Sequence, residues 1–265
     1  MNSSAPVFGE LRASLLQRIV LGLIRIPPLY RGSLRPLWVK LLNALRPGPV
    51  DVESIFGRFR VHPTTNLVDS ALLIHPCYNQ EEIDFLKAGT APGGTFVDVG
   101  ANIGLYSVAL GNFLMPGGRV VSIEPNPVCV DRLRHNLALN GLDPAGVFDV
   151  GVGDFDGKAK LVVLRNDLAI AHIVRDDVGG DFAVRQLLSI LDDAGLQTID
   201  SLKIDVEGFE RAALEPFFRA APRSRWPKRI CMEHLHDNDI MAGILRECGY
   251  REVKSTRNNS LLILT

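Results

Sequence analysis

The sequence predicts an α/β protein built on a doubly wound, mostly parallel sheet, and three observations carry that prediction. Apolar runs of strand length alternate with segments of helical period from about residue 75 onward. The run TFVDV (95–99) passes directly into a glycine-bearing turn and a helix, as the first half of a parallel unit does. Polar residues collect where these strands end rather than inside them.

Residues 1–48 read as a helical appendage ahead of a domain spanning 49–265. Within residues 1–50, Arg12, Arg18, Arg25, Arg31, Arg35, Lys40 and Arg46 face a single acid, Glu10. LLQRIVLGLIRI is too short and too interrupted by arginine to span a bilayer, and no small-residue cleavage site follows it. The expected location is therefore cytoplasmic. Pro27, Pro28 and Pro36 divide the segment into short helices. Two readings of residues 11–46 stand: peripheral contact with anionic lipid at the inner face of a membrane, or helices packed on the domain with arginines in solvent. The second is preferred.

SIFGRFRVH and SALLIH alternate, which predicts a small hairpin or two short strands. QEEIDFLKAG is helical, with acids in its first turn and glycine at its end. TFVDV is the first strand of the sheet, NIGLYSVALGNFL a helix, RVVSI a strand, and NPVCVDRLRHNLALNG a helix closed by Gly141. GVFDVGVG reads as a third strand and KAKLVVL as an extra one. From Arg165 to Asp181 the chain lacks period, as a lid or substrate wall does. QLLSILDDAG (helix), DSLKID (strand), FERAALEPFFRAA (helix), KRICMEH (strand) and DIMAGILRECGY (helix) continue the alternation. REVKST and SLLILT, separated by RNN, close the chain as a hairpin that brings an antiparallel member to the sheet.

With 29 basic and 30 acidic residues, the chain gives no global electrostatic argument for nucleic acid. Cys77, Cys129, Cys231 and Cys248 are scattered without a C-x-x-C pair, consistent with a reducing compartment.

In open α/β sheets, ligands lie beyond the carboxyl ends of the strands. Asp98 and Glu124 end the first two strands, Gly153 and Asp154 follow the third, Asp205 ends the fourth, and Glu233 with His234 ends the fifth. At Asp98 a carboxylate can meet an ammonium, Gly100 admits close backbone approach, and the helix beginning near Ile103 offers N–H groups to an anionic end. Glu124 is placed to accept both ribose hydroxyls. S-adenosylmethionine, a zwitterion carrying a nucleoside, fits this arrangement. A dinucleotide fits less well, because position 102 is asparagine where a pyrophosphate-binding turn has glycine.

Asp154 reads equally as an adenine-amine contact or as part of a GDFDG turn. Asp205 and Glu207 of KIDVEGFE read as helix caps or as groups at the reacting methyl. Lys203 shares a face with Asp205 by alternation and pairs with it. His234 and His236 project over the same edge as candidate bases, whereas His62, His75, His135 and His172 lack comparable context. A divalent ion held by Asp205, Glu233 and His234 is an alternative that is not expected.

DVGANIGLYSVAL, SIEPNPVCVDRLRHNLALN, GVGDFDGKAKLVV, LKIDVEGFERAAL and ICMEHLH resemble, in order, the motifs of FkbM-type S-adenosylmethionine-dependent methyltransferases across roughly residues 75–264. The resemblance implies a Rossmann-like class I methyltransferase fold with seven strands, the last antiparallel, and O-methylation of a hydroxyl on a sugar, glycolipid or polyketide. It makes Asp98, Gly100, Asn102, Gly104, Glu124, Pro125, Gly153 and Asp154 cofactor contacts, and puts Asp205, Glu207 and Glu233 at the reacting end.

The mechanism implied is in-line displacement, with His236 or His234, partnered by Asp205, removing the acceptor's proton. Two rivals are a non-catalytic S-adenosylmethionine-binding module recruited through the appendage and a nicotinamide-dependent oxidoreductase, which Asn102 disfavours. The case fails if Asp98 and Glu124 lie on opposite sides of the molecule or are already filled by internal partners.

Overall fold

The computed structural model describes residues 6–26, 29, 32–163, 171–176, 178–206, 208–233 and 238–265. Helices α1 (Leu15–Ile24) and α2 (Arg35–Leu45) pack on each other. Ser14 and Gln17 form a reciprocal capping box at the start of α1. Gln17 also donates from Nε2 to the carbonyls of Leu42 (2.8 Å) and Arg46 (3.2 Å), tying α1 to the end of α2. Pro36 sits in the first turn of α2, where its missing N–H leaves no intrahelical bond unmade. Leu21, Ile24 and Leu42 are buried in the same core as Val50, Phe59 and Leu110. Residues 1–48 differ in composition from the domain, yet their described part shares its interior.

Strands β1 (Val50–Ser54) and β2 (Gly57–Val61) form the expected hairpin. SALLIH, expected as a strand, instead lies in helix α3 (Leu67–Ile74), where Asn66 accepts the Asp69 N–H at 2.9 Å as an N-cap. Its residues from 69 to 74 are all buried, so the run carries no period that separates strand from helix.

Helix α4 (Gln80–Lys87) precedes β3 (Thr95–Val99), α5 (Leu105–Leu114), β4 (Arg119–Ile123), α6 (Pro127–Leu139) and β5 (Val147–Phe148). A second, smaller sheet follows, made of β6 (Gly151–Val152), β7 (Gly157–Val163), β8 (Ala171–Arg175) and β9 (Phe182–Arg185). The chain then returns through α7 (Leu187–Asp193), β10 (Ser201–Ile204), α8 (Glu210–Ala220), β11 (Arg229–Glu233), α9 (Asn238–Glu247), β12 (Tyr250–Ser255) and β13 (Asn259–Leu264).

The main sheet has seven strands in the order β12-β13-β11-β10-β3-β4-β5, and β13 runs opposite to the other six. One apolar cluster joins α5 and α6 to the amino-terminal helices on one face, and a second joins α7, α8 and α9 on the other. This is the doubly wound architecture the sequence predicts.

Two expectations need correction in the middle of the chain. GVFDVGVG is not one strand: β5 pairs with β4 for two residues, and the chain then crosses to the small sheet as β6. As an edge strand, β5 has no neighbour except β4, which ends at Ile123, so a longer β5 has nothing to pair with. The stretch from Arg165 to Asp181 is not wholly irregular, because β8 pairs antiparallel with β7. Residues 164–170 lie outside the described residues.

Along the sheet, the connections from β3 wind one way to β4 and β5, and those from β10 the other way to β11. Strand order therefore reverses between β3 and β10. The Asp205 N–H donates to the Val99 carbonyl at 3.0 Å, holding the two strand ends together at that reversal.

Candidate functional site

A cavity of about 1250 Å³ opens at this reversal, beyond the carboxyl ends of β3, β4, β10 and β11. Gly100 and Asn102 contribute to its wall from the β3 turn, Glu124 and Pro125 from the end of β4, and Asp205 and Glu233 from the ends of β10 and β11. The small sheet supplies Gly151, Val152 and Phe182, and the region around α4 supplies Tyr78, Asn79 and Glu82.

On the β4 side, Glu124 is 8% exposed and accepts two backbone N–H groups at 2.9 Å, Asn102 on Oε2 and Asn126 on Oε1. Burial pushes its pKa above the ordinary value, with the two N–H bonds opposing the shift. A carboxylate oxygen has two lone pairs, so each retains capacity for one further donor. Glu124 thus shapes the β3 turn and can still accept two hydroxyls.

Asp98 occupies a different position. It is fully buried and absent from the cavity wall. Its Oδ2 accepts the Ser107 hydroxyl at 2.6 Å, Ser107 Oγ lies 2.8 Å from Ser122 Oγ, and its buried Oδ1 has no hydrogen-bond partner among the described residues. The carboxylate therefore sits against the positive first turn of α5. Burial raises its pKa, and the Lys203 ammonium beside it acts in the opposite sense. Sequence reasoning aimed Asp98 at a ligand's ammonium; the structure gives it internal partners instead, Ser107 and the Lys203 ammonium. The condition set against the functional case is thus met at Asp98 and not at Glu124, which lines the cavity with acceptor capacity to spare. Lys203, Asp98 and Ser122 are register neighbours across β10, β3 and β4 and so form a transverse polar row on the α5 face.

Gly100 has φ +76°, and an added Cβ would come within 1.9 Å of the Asp205 carbonyl oxygen. The close approach this requires is to the Asp205 backbone, just past β10, while Gly100 also lines the cavity. Asn102 takes a left-handed φ of +51°, and its Oδ1 accepts the Ile103 N–H (2.9 Å) and Asn66 Nδ2 (3.0 Å). The α5 N-terminus, expected to be open to an anion, is thus partly occupied by Asn102 and Asp98. Gly104 precedes α5, off the cavity wall, next to Leu133.

Gly153 and Asp154 also lie off the wall; Gly153 donates to the Arg185 carbonyl and Asp154 is exposed. In GDFDG, Asp156 accepts the Gln186 N–H (2.6 Å) and the Ser189 hydroxyl (2.9 Å) at the start of α7. The walls nearest this strand come from Val150, Gly151 and Val152 instead.

On the β10 side, Lys203 is buried and donates to Asp205 Oδ2 at 3.1 Å and to the Gly100 carbonyl at 3.3 Å, its ammonium 5.2 Å from the centre of the Tyr106 ring. This is the expected Lys203–Asp205 pair. Burial alone would lower the lysine's pKa, but Asp205 and Asp98 outweigh it and raise it. Asp205 is held below the usual carboxylate range, since Lys203 and a hydrogen bond with Glu233 overcome its desolvation. Asp205 and Glu233 thus meet as expected, but among the described residues no three potential metal ligands gather. Glu207, His234 and His236 lie outside the described residues.

Sequence reasoning missed several wall residues. Tyr106 accepts from Asn79 Nδ2 at 3.0 Å, Arg257 comes from the β12–β13 turn, and Arg35 comes from α2. Tyr106 and Arg257 stand next to motifs already singled out. No local pattern connects Arg35, in the amino-terminal appendage, with a site at the central strand reversal.

The sheet order, the antiparallel final strand and the cavity at the β3/β10 reversal define a class I S-adenosylmethionine-dependent methyltransferase fold. The model of the methyltransferase FkbM domain matches residues 98–252, and the chain belongs to that family. It is 30% identical over 152 residues to the methyltransferase sdnD of Sordaria araneosa, an alignment covering 45% of this chain and 58% of that protein. It is 41% identical over 63 residues to the protein-L-isoaspartate O-methyltransferase of Aeropyrum pernix, covering 24% of each. Among solved structures it resembles the O-methyltransferase TomG of Streptomyces achromogenes (14% identity, 70% and 80% coverage, TM-score 0.42). An rRNA methylase from Streptococcus thermophilus is similar at 11% identity, with 69% and 92% coverage and a TM-score of 0.41.

Proposed function

We propose that the domain transfers a methyl group from S-adenosylmethionine to a hydroxyl oxygen of a sugar, glycolipid or polyketide-type small molecule. The carrying observation is that Glu124, with acceptor capacity to spare, and the Asp205–Glu233 pair line one cavity from opposite sides of the strand reversal. Methyl transfer to oxygen is also the reaction named for the Aeropyrum pernix relative.

S-adenosylmethionine supplies a methyl group already activated by its sulfonium. The protein's part is to bind, align and dehydrate. Glu124 accepts the ribose hydroxyls, and the apolar Ile123 and Val152 give the nucleoside a dry wall. Asp205, kept ionised by Lys203, is a weak proton acceptor but a good hydrogen-bond acceptor, so it orients the acceptor's hydroxyl. His236 or His234 takes the proton. Alignment of this kind contributes on the order of 7–11 kcal/mol at best.

Calorimetric titration with S-adenosylhomocysteine and, separately, NAD tests the cofactor; binding of NAD alone overturns the proposal. Hydroxylated sugars, glycolipids and polyketides incubated with methyl-labelled cofactor then test the acceptor class. Normal turnover by His236→Ala removes that residue as the base and leaves His234.

A further inference from the structure

Helix α1 carries more apolar surface than the domain covers. Gln17, Leu21 and Ile24 face inward, whereas Leu15, Ile19 and Leu23, spaced four residues apart, remain 65%, 53% and 52% exposed. Leu16 and Ile26 are also exposed. At the 3.6-residue period Leu15, Leu16, Ile19 and Leu23 occupy one arc of the helix surface, opposite or beside the buried face, and Ile26 follows just past the helix end. Arg18 and Arg25, both exposed, fall between that arc and the buried face along one side; Arg25, the C-cap of α1, also donates from Nε to the Ile74 carbonyl at 3.4 Å. On α2, Leu37 and Leu41 are exposed next to an exposed Lys40. Exposed large apolar residues elsewhere, such as Ile55, Met115 and Val253, are scattered singly.

The occupant of this face must accept both grease and positive charge. Residues 1–50 hold seven basic residues against one acid, in a chain whose formal net charge is −1. A second copy of the chain would bring like-charged arginines together around its stripe, whereas a lipid surface with anionic headgroups satisfies leucines and arginines at once.

We infer that the exposed face of α1, with the adjoining Leu37, Lys40 and Leu41 of α2, seats the protein on an anionic lipid surface. Helix α2 begins at Arg35, which lines the cavity, so the seat and the site meet on one helix. The inference stands independently of the acceptor proposed above.

The test is co-sedimentation of the full chain with phosphatidylcholine vesicles, with and without about a third of phosphatidylglycerol. Partitioning onto the anionic vesicles is expected, weakening as salt rises and falling at least about tenfold in the Ile19→Asp, Leu23→Asp double variant. Circular dichroism and the urea midpoint report whether that variant folds. If it does not, Arg18→Glu with Arg25→Glu, which leaves the apolar arc intact, must give the same loss. Equal sedimentation of wild type and a folded variant overturns the inference. So does a wild-type dimer, seen by light scattering, that the same substitutions convert to a monomer.

Discussion

The two sides of the cavity use the same residue type differently. On the β3/β4 side, Asp98 accepts the Ser107 hydroxyl and Glu124 two backbone N–H groups, and both carboxyls are pushed up in pKa by burial. On the β10/β11 side, Asp205 accepts no backbone N–H among the described residues, pairs with Lys203 and Glu233, and is pushed down. Carboxylates deep at the strand reversal fold the turn that shapes the pocket. The less buried one on the opposite side keeps a charge available to a ligand.

The largest expected effect falls on the residue shared by both sides. Lys203→Met leaves Asp98 buried without its neighbouring cation and should lower the unfolding free energy by about 3–5 kcal/mol in urea titrations. Asp98→Ala comes next, at about 1–3 kcal/mol, because it removes the carboxylate that accepts the buried Ser107 hydroxyl and leaves the Lys203 ammonium with one fewer neighbouring anion. If it instead weakens S-adenosylhomocysteine binding tenfold with stability intact, Asp98 belongs to the ligand and the contrast fails.

Glu124→Gln should weaken S-adenosylhomocysteine about tenfold, or ~1.4 kcal/mol, by calorimetry, and also cost about 1–3 kcal/mol of stability, because an amide NH2 then faces one of the two backbone N–H groups the carboxylate accepts. The smallest effect is on pH dependence, and the two sides should differ in sign. Asp98 and Glu124 bind protons more tightly folded than unfolded, so they cost stability as pH rises above their ordinary 3.8 and 4.5. Asp205 contributes stability above its ordinary 3.8 and loses it as pH falls through its lower folded value. Lys203 contributes fully below its ordinary 10.5 and loses that contribution as pH rises through its higher folded value. Urea midpoints across pH should therefore show a gain on mild acidification that Glu124→Gln reduces, and a loss at lower pH that Asp205→Asn reduces.

The sheet was legible in the sequence because its strands and helices keep distinct periods and lengths, and the strand-end polar residues located the cavity. What escaped was the direction in which a strand-end side chain points. TFVDVGANIG reads the same whether Asp98 serves a ligand or caps α5 from beneath; deciding that needs Ser107, which helix packing brings under it. SALLIH failed because a fully buried helix shows no polar stripe, and the third strand failed because pairing depends on where its neighbour stops. Arg35 reaches the cavity only because α2 folds back onto the domain.

The brevity of β5 has a consequence for how this protein can change. From Asp149 to Gln186 the chain departs from the main sheet, builds the β6–β9 wall and returns at α7, leaving the seven-stranded frame closed without it. One flank of the pocket, including Val152 and Phe182, is thus a cassette bolted to the scaffold at two points. That flank can therefore vary in sequence while Glu124, the Asp205–Glu233 pair and the strand reversal stay as they are.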